Sequence, residues 1–202
     1  MKVKICGLSK EEEVNFCVKH NVNFCGFILN YPKSHRFINF ELAKKLTNIP
    51  KKNTKYVGVL VDPSKKELKR YSLLNIDYFQ IYGDFTLKEI NQIKKNFNKK
   101  IIMSLQIKKE DDILNYKLYE SAADIILFDS TGLHQSLGWD YEWIKIVPKN
   151  VVKMIAGNIN IDTLEKIKKI ADIVDVSGAL ETNKVKDILK IDKFLKKIND
   201  KN

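Results

Sequence analysis

The chain has 202 residues, of which 44% are hydrophobic and 30% charged, with a formal net charge of +11. That length supports one substantial core and is short for two. No apolar run approaches the ~20 residues of a bilayer span, and the opening Met1-Lys2-Val3-Lys4-Ile5-Cys6 lacks the apolar stretch of a secretion signal, so a cytoplasmic protein with no membrane partner is expected. The positive excess is Lys rather than Arg, is interleaved with Glu and Asp, and recurs at helical spacing, as in Lys88, Lys94, Lys95, Lys99 and Lys100. That describes solvated helix faces and speaks against a nucleic-acid partner, which would need interleaved aromatic and basic residues. Cys6, Cys17 and Cys25 form no CxxC pair and no cluster with His, so neither a disulfide framework nor a zinc site is expected.

Short apolar runs alternate with helical stretches along the chain. The first run, 3–6, ends at Cys6-Gly7, and Ser9 before Glu11, Glu12 and Glu13 reads as an N-cap with an acidic first turn. A second run at 24–29 leads into Tyr31-Pro32-Lys33-Ser34-His35-Arg36-Phe37, and a third at 56–61 into Asp62-Pro63-Ser64 and a helix over 65–74. The run at 78–81 precedes Thr86, which caps Leu87, Ile90 and Ile93 at helical spacing. Runs at 101–105 and 125–129 follow, then the weakest helical stretch near 141–146. A seventh run at 151–155 precedes Asp162-Thr163 and the row Leu164, Ile167, Ile170; the eighth, at 173–177, precedes a closing amphipathic segment from Val185 to Ile198.

Eight near-continuous apolar strands alternating with helices predict a parallel sheet covered on both faces. No Gly-x-Gly-x-x-Gly follows the first strand and no Walker loop occurs, so the nucleotide-binding open sheets lose their signature. The expected architecture is α/β, a single-domain (β/α)8 TIM barrel over residues 1–202, with its chemistry at the C-terminal strand ends.

At that rim Cys6 closes the first strand and Asp129 the sixth. A thiol that becomes a base beside a positive charge, and a carboxyl whose pKa rises on burial, together equip a site for moving protons, with no metal or cofactor required. Arg36 follows the second strand, where it is placed to clamp a substrate carboxylate, whereas His35 beside it reads as a bystander. Ala156-Gly157-Asn158 and Ser177-Gly178-Ala179 are small-residue turns after strands 7 and 8, where barrels commonly hold phosphate. Gly7 would admit a ligand close to the backbone. Cys17 and Cys25 read as buried apolar side chains.

These residues resemble the phosphoribosylanthranilate isomerase family of tryptophan biosynthesis. The resemblance runs through Lys4-Ile5-Cys6-Gly7-Leu8, Gly26-Phe27-Ile28-Leu29, Lys33-Ser34-His35-Arg36, Val57-Gly58-Val59-Leu60-Val61, Leu127-Phe128-Asp129 and Asp175-Val176-Ser177-Gly178-Ala179-Leu180-Glu181, followed by Lys186-Asp187. It implies an Amadori rearrangement of N-(5-phosphoribosyl)anthranilate to 1-(2-carboxyphenylamino)-1-deoxyribulose 5-phosphate, with Asp129 as general acid, Cys6 as general base, Arg36 on the anthranilate carboxylate, and Gly157, Asn158, Ser177 and Gly178 on the phosphate. Gly7, Gln80 and Tyr82 are candidate substrate contacts by the same resemblance. The chain departs from the family pattern at Gln80-Ile81-Tyr82-Gly83, where the family usually has Gln-Leu-His-Gly. It departs again at Gln135-Ser136-Leu137-Gly138, in place of Gly-Gly-Ser/Thr-Gly, at Tyr141-Glu142-Trp143, in place of Phe-Asp-Trp, and at Gly157-Asn158, in place of Gly-Gly. The alternatives are a phosphosugar barrel with another substrate and a catalytically silent binding barrel. The small-molecule substrate is the one partner expected, as monomer or homodimer.

Overall fold

The protein is described here by a computed structural model of residues 1–130 and 138–199. Eight parallel strands close into a barrel: β1 (Lys2–Cys6), β2 (Phe24–Ile28), β3 (Lys55–Val61), β4 (Tyr78–Tyr82), β5 (Lys100–Ile107), β6 (Ile125–Ser130), β7 (Lys153–Ile155) and β8 (Ile173–Val176). The first and last strands pair in register, Lys4 with Asp175, which closes the ring.

Side chains alternate in and out along each strand. The inward set includes Phe24, Val57, Val59, Tyr78, Ile102, Leu127, Met154 and Ile173, all buried within the barrel lumen. The outward set, among them Ile5, Cys25, Phe27, Leu60, Phe79 and Ile126, forms a second core against the helices, so both strand faces are apolar and the strands read as continuous runs. Cys17 and Cys25 sit in that outer layer, fully buried.

The helices are α1 (Glu11–Lys19), α2 (Phe40–Thr47), α3 (Lys65–Ser72), α4 (Leu87–Phe97), α5 (Leu164–Ile167) and α6 (Ile188–Asn199). Ser64 and Thr86 cap α3 and α4 through full capping boxes with Glu67 and Glu89. Ser9 does not cap α1: the helix starts after Lys10, and Glu13 instead accepts from the backbone N–H groups of Ser9 and Lys10. The seventh helix shrinks to α5, which ends at Ile167 and leaves Ile170 beyond it, and ahead of its start Asn160 accepts from the N–H groups of Asp162 and Thr163. Segments Glu110–Leu118 and Tyr141–Ile146 are 3-10 turns, the second confined between Asp140, its cap, and Pro148, which a helix cannot approach.

The sequence reading named no element at Phe40–Thr47 or Glu110–Leu118, nor the hairpin that follows β8. A two-residue hairpin, β9 (Glu181–Thr182) and β10 (Val185–Lys186), takes Val185 out of the closing helix. Its turn residues Asn183 and Lys184 both have positive φ, the requirement of the tight hairpin turn, but without Gly they leave little trace in the sequence. No helix among the described residues is long and apolar enough to cross a membrane.

Candidate active site

The C-terminal ends of the strands surround one cavity of about 300 Å³. Cys6, Arg36, Gln80, Tyr82, Asp129, Gly157, Asn158, Ser177 and Gly178 all line it, joined by Asp175, Ala156 and Ala179. Gly7 is the exception among the candidates. Its φ is +79°, and an added Cβ would run into the Arg36 stem, so its bare backbone is the seat on which Arg36 lies rather than a wall of the cavity. Residues 131–137 of the loop after β6, including Gln135, Ser136 and Leu137, lie outside the described residues. Gly138, the last of that quartet, lies against Asn158, with an ideal Cβ 3.6 Å from the amide nitrogen.

Asp129 reaches the lumen because it follows Leu127 by two residues on β6. Burial pushes its carboxyl up to about 6, against the hydrogen bond from Tyr82, which favours the charged form. The Tyr82 hydroxyl donates to Asp129 Oδ2 at 2.7 Å, and Gln80 Nε2 donates to the Tyr82 oxygen at 3.2 Å.

Cys6 stands two residues beyond Lys4 on the same face of β1. Lys4 is fully buried and donates to Asp175 Oδ2 at 2.7 Å. A Cβ added to Gly26, the register partner of Cys6, would lie 3.0 Å from Cys6 Sγ and 3.1 Å from Lys4 Nζ, so the ammonium and the thiol crowd one point. Burial raises the thiol above its ordinary range, and the Lys4 charge pulls it back only in part. On Lys4 itself burial disfavours the charge, but Asp175 and then Cys6 outweigh that and keep it protonated. Ser177 Oγ donates to the Cys6 carbonyl at 2.9 Å, tying the end of β8 to the end of β1.

Arg36 is held by Glu181 in a bidentate pair, Nε to Oε1 at 2.6 Å and Nη2 to Oε2 at 2.9 Å. Lys186, buried on β10, donates to the same carboxylate at 2.5 Å and to Ser177. Burial would raise Glu181, but Arg36 and Lys186 hold it down at about 2. Two cations therefore share one internal carboxylate, leaving net positive charge at the rim for an anion. Two buried acceptors on the cavity wall, Gln80 Oε1 and Asp175 Oδ1, have no hydrogen-bond partner within the described protein.

The sequence reading assigned no role to Lys4, Asp175, Glu181 or Lys186. The signal was available for the first two: opposite charges inside apolar strands must pair, because a lone buried charge is too costly. For Glu181 and Lys186 it was absent, since only the hairpin turns them back toward Arg36.

The family model for N-(5'phosphoribosyl)anthranilate (PRA) isomerase matches residues 3–197. The chain belongs to this family. It is 34% identical over 202 residues to the N-(5'-phosphoribosyl)anthranilate isomerase of Streptococcus mutans, covering 98% of each chain. It is 32% identical over 205 residues to that of Thermoanaerobacter pseudethanolicus, again covering 98% of each. Among solved structures, a phosphoribosyl anthranilate isomerase in complex with reduced 1-(o-carboxyphenylamino)-1-deoxyribulose 5-phosphate superposes with TM-score 0.84 at 25% identity, covering 98% of this chain and 97% of that one. A 3-hexulose-6-phosphate synthase superposes with TM-score 0.72 at 14% identity, covering 98% of this chain and 99% of that one, and speaks to fold alone.

Proposed function

We propose that this member of the phosphoribosylanthranilate isomerase family performs the Amadori rearrangement with Asp129 as general acid and Cys6 as general base. The isomerase activity and its place in tryptophan biosynthesis follow from family membership. The assignment of roles is carried by one observation: a carboxyl raised to about 6 and a thiol beside an ammonium face the same cavity from two separate strands of the barrel, β6 and β1.

In this mechanism protonated Asp129 gives its proton to the ribose ring oxygen. The bond from that oxygen to C1′ breaks as the aromatic amine forms an iminium with the same carbon. Cys6 thiolate then removes the C2′ proton, which the iminium acidifies, and the electron pair becomes the double bond of an enolamine that tautomerises to the ketone. Arg36 holds the anthranilate carboxylate, and the turns at Gly157-Asn158 and Ser177-Gly178 hold the phosphate.

The acid's pKa lies below the base's, so at neutral pH the dominant ligand-free form carries ionised Asp129 and neutral Cys6. The working form, with that proton exchanged between them, is a minor tautomer of the same total charge. Activity then spans the plateau between the two pKa values and falls when both groups are protonated or both deprotonated. The buried thiols fit work in a reducing, cytoplasmic setting. The test is loss of anthranilate-type fluorescence when purified protein meets freshly generated phosphoribosylanthranilate, with Cys6→Ser alongside. Rapid decay that vanishes in the variant supports the assignment; equal decay in both overturns the role of Cys6.

A further inference from the structure

We propose that Tyr82 is a positioning residue for the general acid: it occupies one oxygen of Asp129, so that the proton destined for the substrate rides on the other. The inference deepens the reading of Asp129 as the acid and rests on it. Two hydrogen bonds in series carry the argument. Gln80 Nε2 donates to the Tyr82 oxygen at 3.2 Å, and the Tyr82 hydroxyl donates to Asp129 Oδ2 at 2.7 Å. A phenol has one proton to give, and a partner that donates to its oxygen directs that proton away from itself, here onto the carboxylate.

The ring is built to stay in place. Tyr82 ends β4 in register with Val61, and its carbonyl accepts from the Asp62 N–H at 2.8 Å. Gly83 follows at φ +130°, where any side chain would strike the Asp62 carboxylate. The ring itself is 8% exposed. Around the carboxyl and the phenol stand Lys4 and Cys6 from β1, Asp175 from β8, Tyr141 after β6, and the Ser130 N–H. Among the described residues Tyr82 is the one side chain that donates a hydrogen bond to Asp129.

That geometry acts on the proton step. As the O–H bond of Asp129 breaks and the ring oxygen gains the proton, negative charge grows on a carboxylate that already holds the phenol's hydrogen. The hydrogen bond strengthens along this step, so it stabilises the transition state more than the protonated acid from which the step starts. The phenol at this position therefore sets a hydrogen-bond donor against the acid.

The test is a carbon-13 titration of the Asp129 carboxyl in the ligand-free protein, assigned by its loss in Asp129→Asn. Tyr82→Phe removes only the hydroxyl and should raise the midpoint from about 6 by about one unit, the usual worth of a charge-assisted hydrogen bond. Gln80→Leu should move it the same way by less. With phosphoribosylanthranilate, the acid limb of the Tyr82→Phe kcat/KM profile should move up in pH with the titration. An unmoved or lowered midpoint overturns the proposal, whatever happens to turnover, and would leave Tyr82 a packing or substrate-contact residue. A raised midpoint in a protein without isomerase activity would support the coupling while overturning the functional reading alone.

Discussion

Each site residue exerts its effect through the groups that surround it. Cys6→Ser should lower kcat by at least about two orders of magnitude, because a hydroxyl is a far weaker base than a thiolate in the same place, and steady-state turnover checks it. Asp129→Asn should do the same and carries a second, opposite effect. A carboxyl raised by burial stabilises the fold least when ionised: its contribution is full below its unfolded pKa and is lost as pH rises through about 6. Thermal melts should therefore show Asp129→Asn more stable than wild type at pH 8, by at most about 3 kcal/mol, with the gain disappearing near pH 4. Arg36→Ala should mainly raise KM, since an anchor for the substrate carboxylate binds ground and transition states alike. The same substitution leaves Glu181 with Lys186 and His35, so an altered melting temperature with unchanged KM would make Arg36 a structural partner of Glu181 instead.

At the scale of elements, glycines and caps separate what builds the barrel from what builds the site. Gly26→Ala adds a methyl where Cys6 Sγ and Lys4 Nζ already converge, and it should cut kcat far more than it lowers the melting temperature. Ser64→Ala removes the cap of α3, away from the cavity, and should cost ~1 kcal/mol in denaturant unfolding without touching turnover. The eight strands were legible because a strand covered on both faces shows as an unbroken apolar run, and α3 and α4 were legible from Ser64 and Thr86. The start of α1 and the length of α5 were not. At the start of α1 Glu13 satisfies the free N–H groups of Ser9 and Lys10, a choice made by side-chain reach rather than by residue type.

Over the whole molecule, the closing of the barrel is what creates the charged floor of the site. Lys4 and Asp175 are 171 positions apart and become neighbours only when β1 pairs with β8. Lys4→Met should destabilise the protein by about 3–5 kcal/mol by stranding the Asp175 carboxylate, and urea unfolding measures it. Lys4→Met combined with Asp175→Leu should recover much of that loss and still turn over poorly, because the thiol loses its ammonium.

The sequence by itself determined the class of fold, the family and the strand-end places of Asp129 and Cys6, since strand periodicity, strand-end position and short motifs are all local properties of the chain. Only the tertiary structure decided how those groups are tuned. The Lys4–Asp175 pair, the grip of Glu181 on Arg36 and the hand of Tyr82 on Asp129 join residues from different strands and from the late hairpin, and burial, which sets their charges, exists only once the ring has closed.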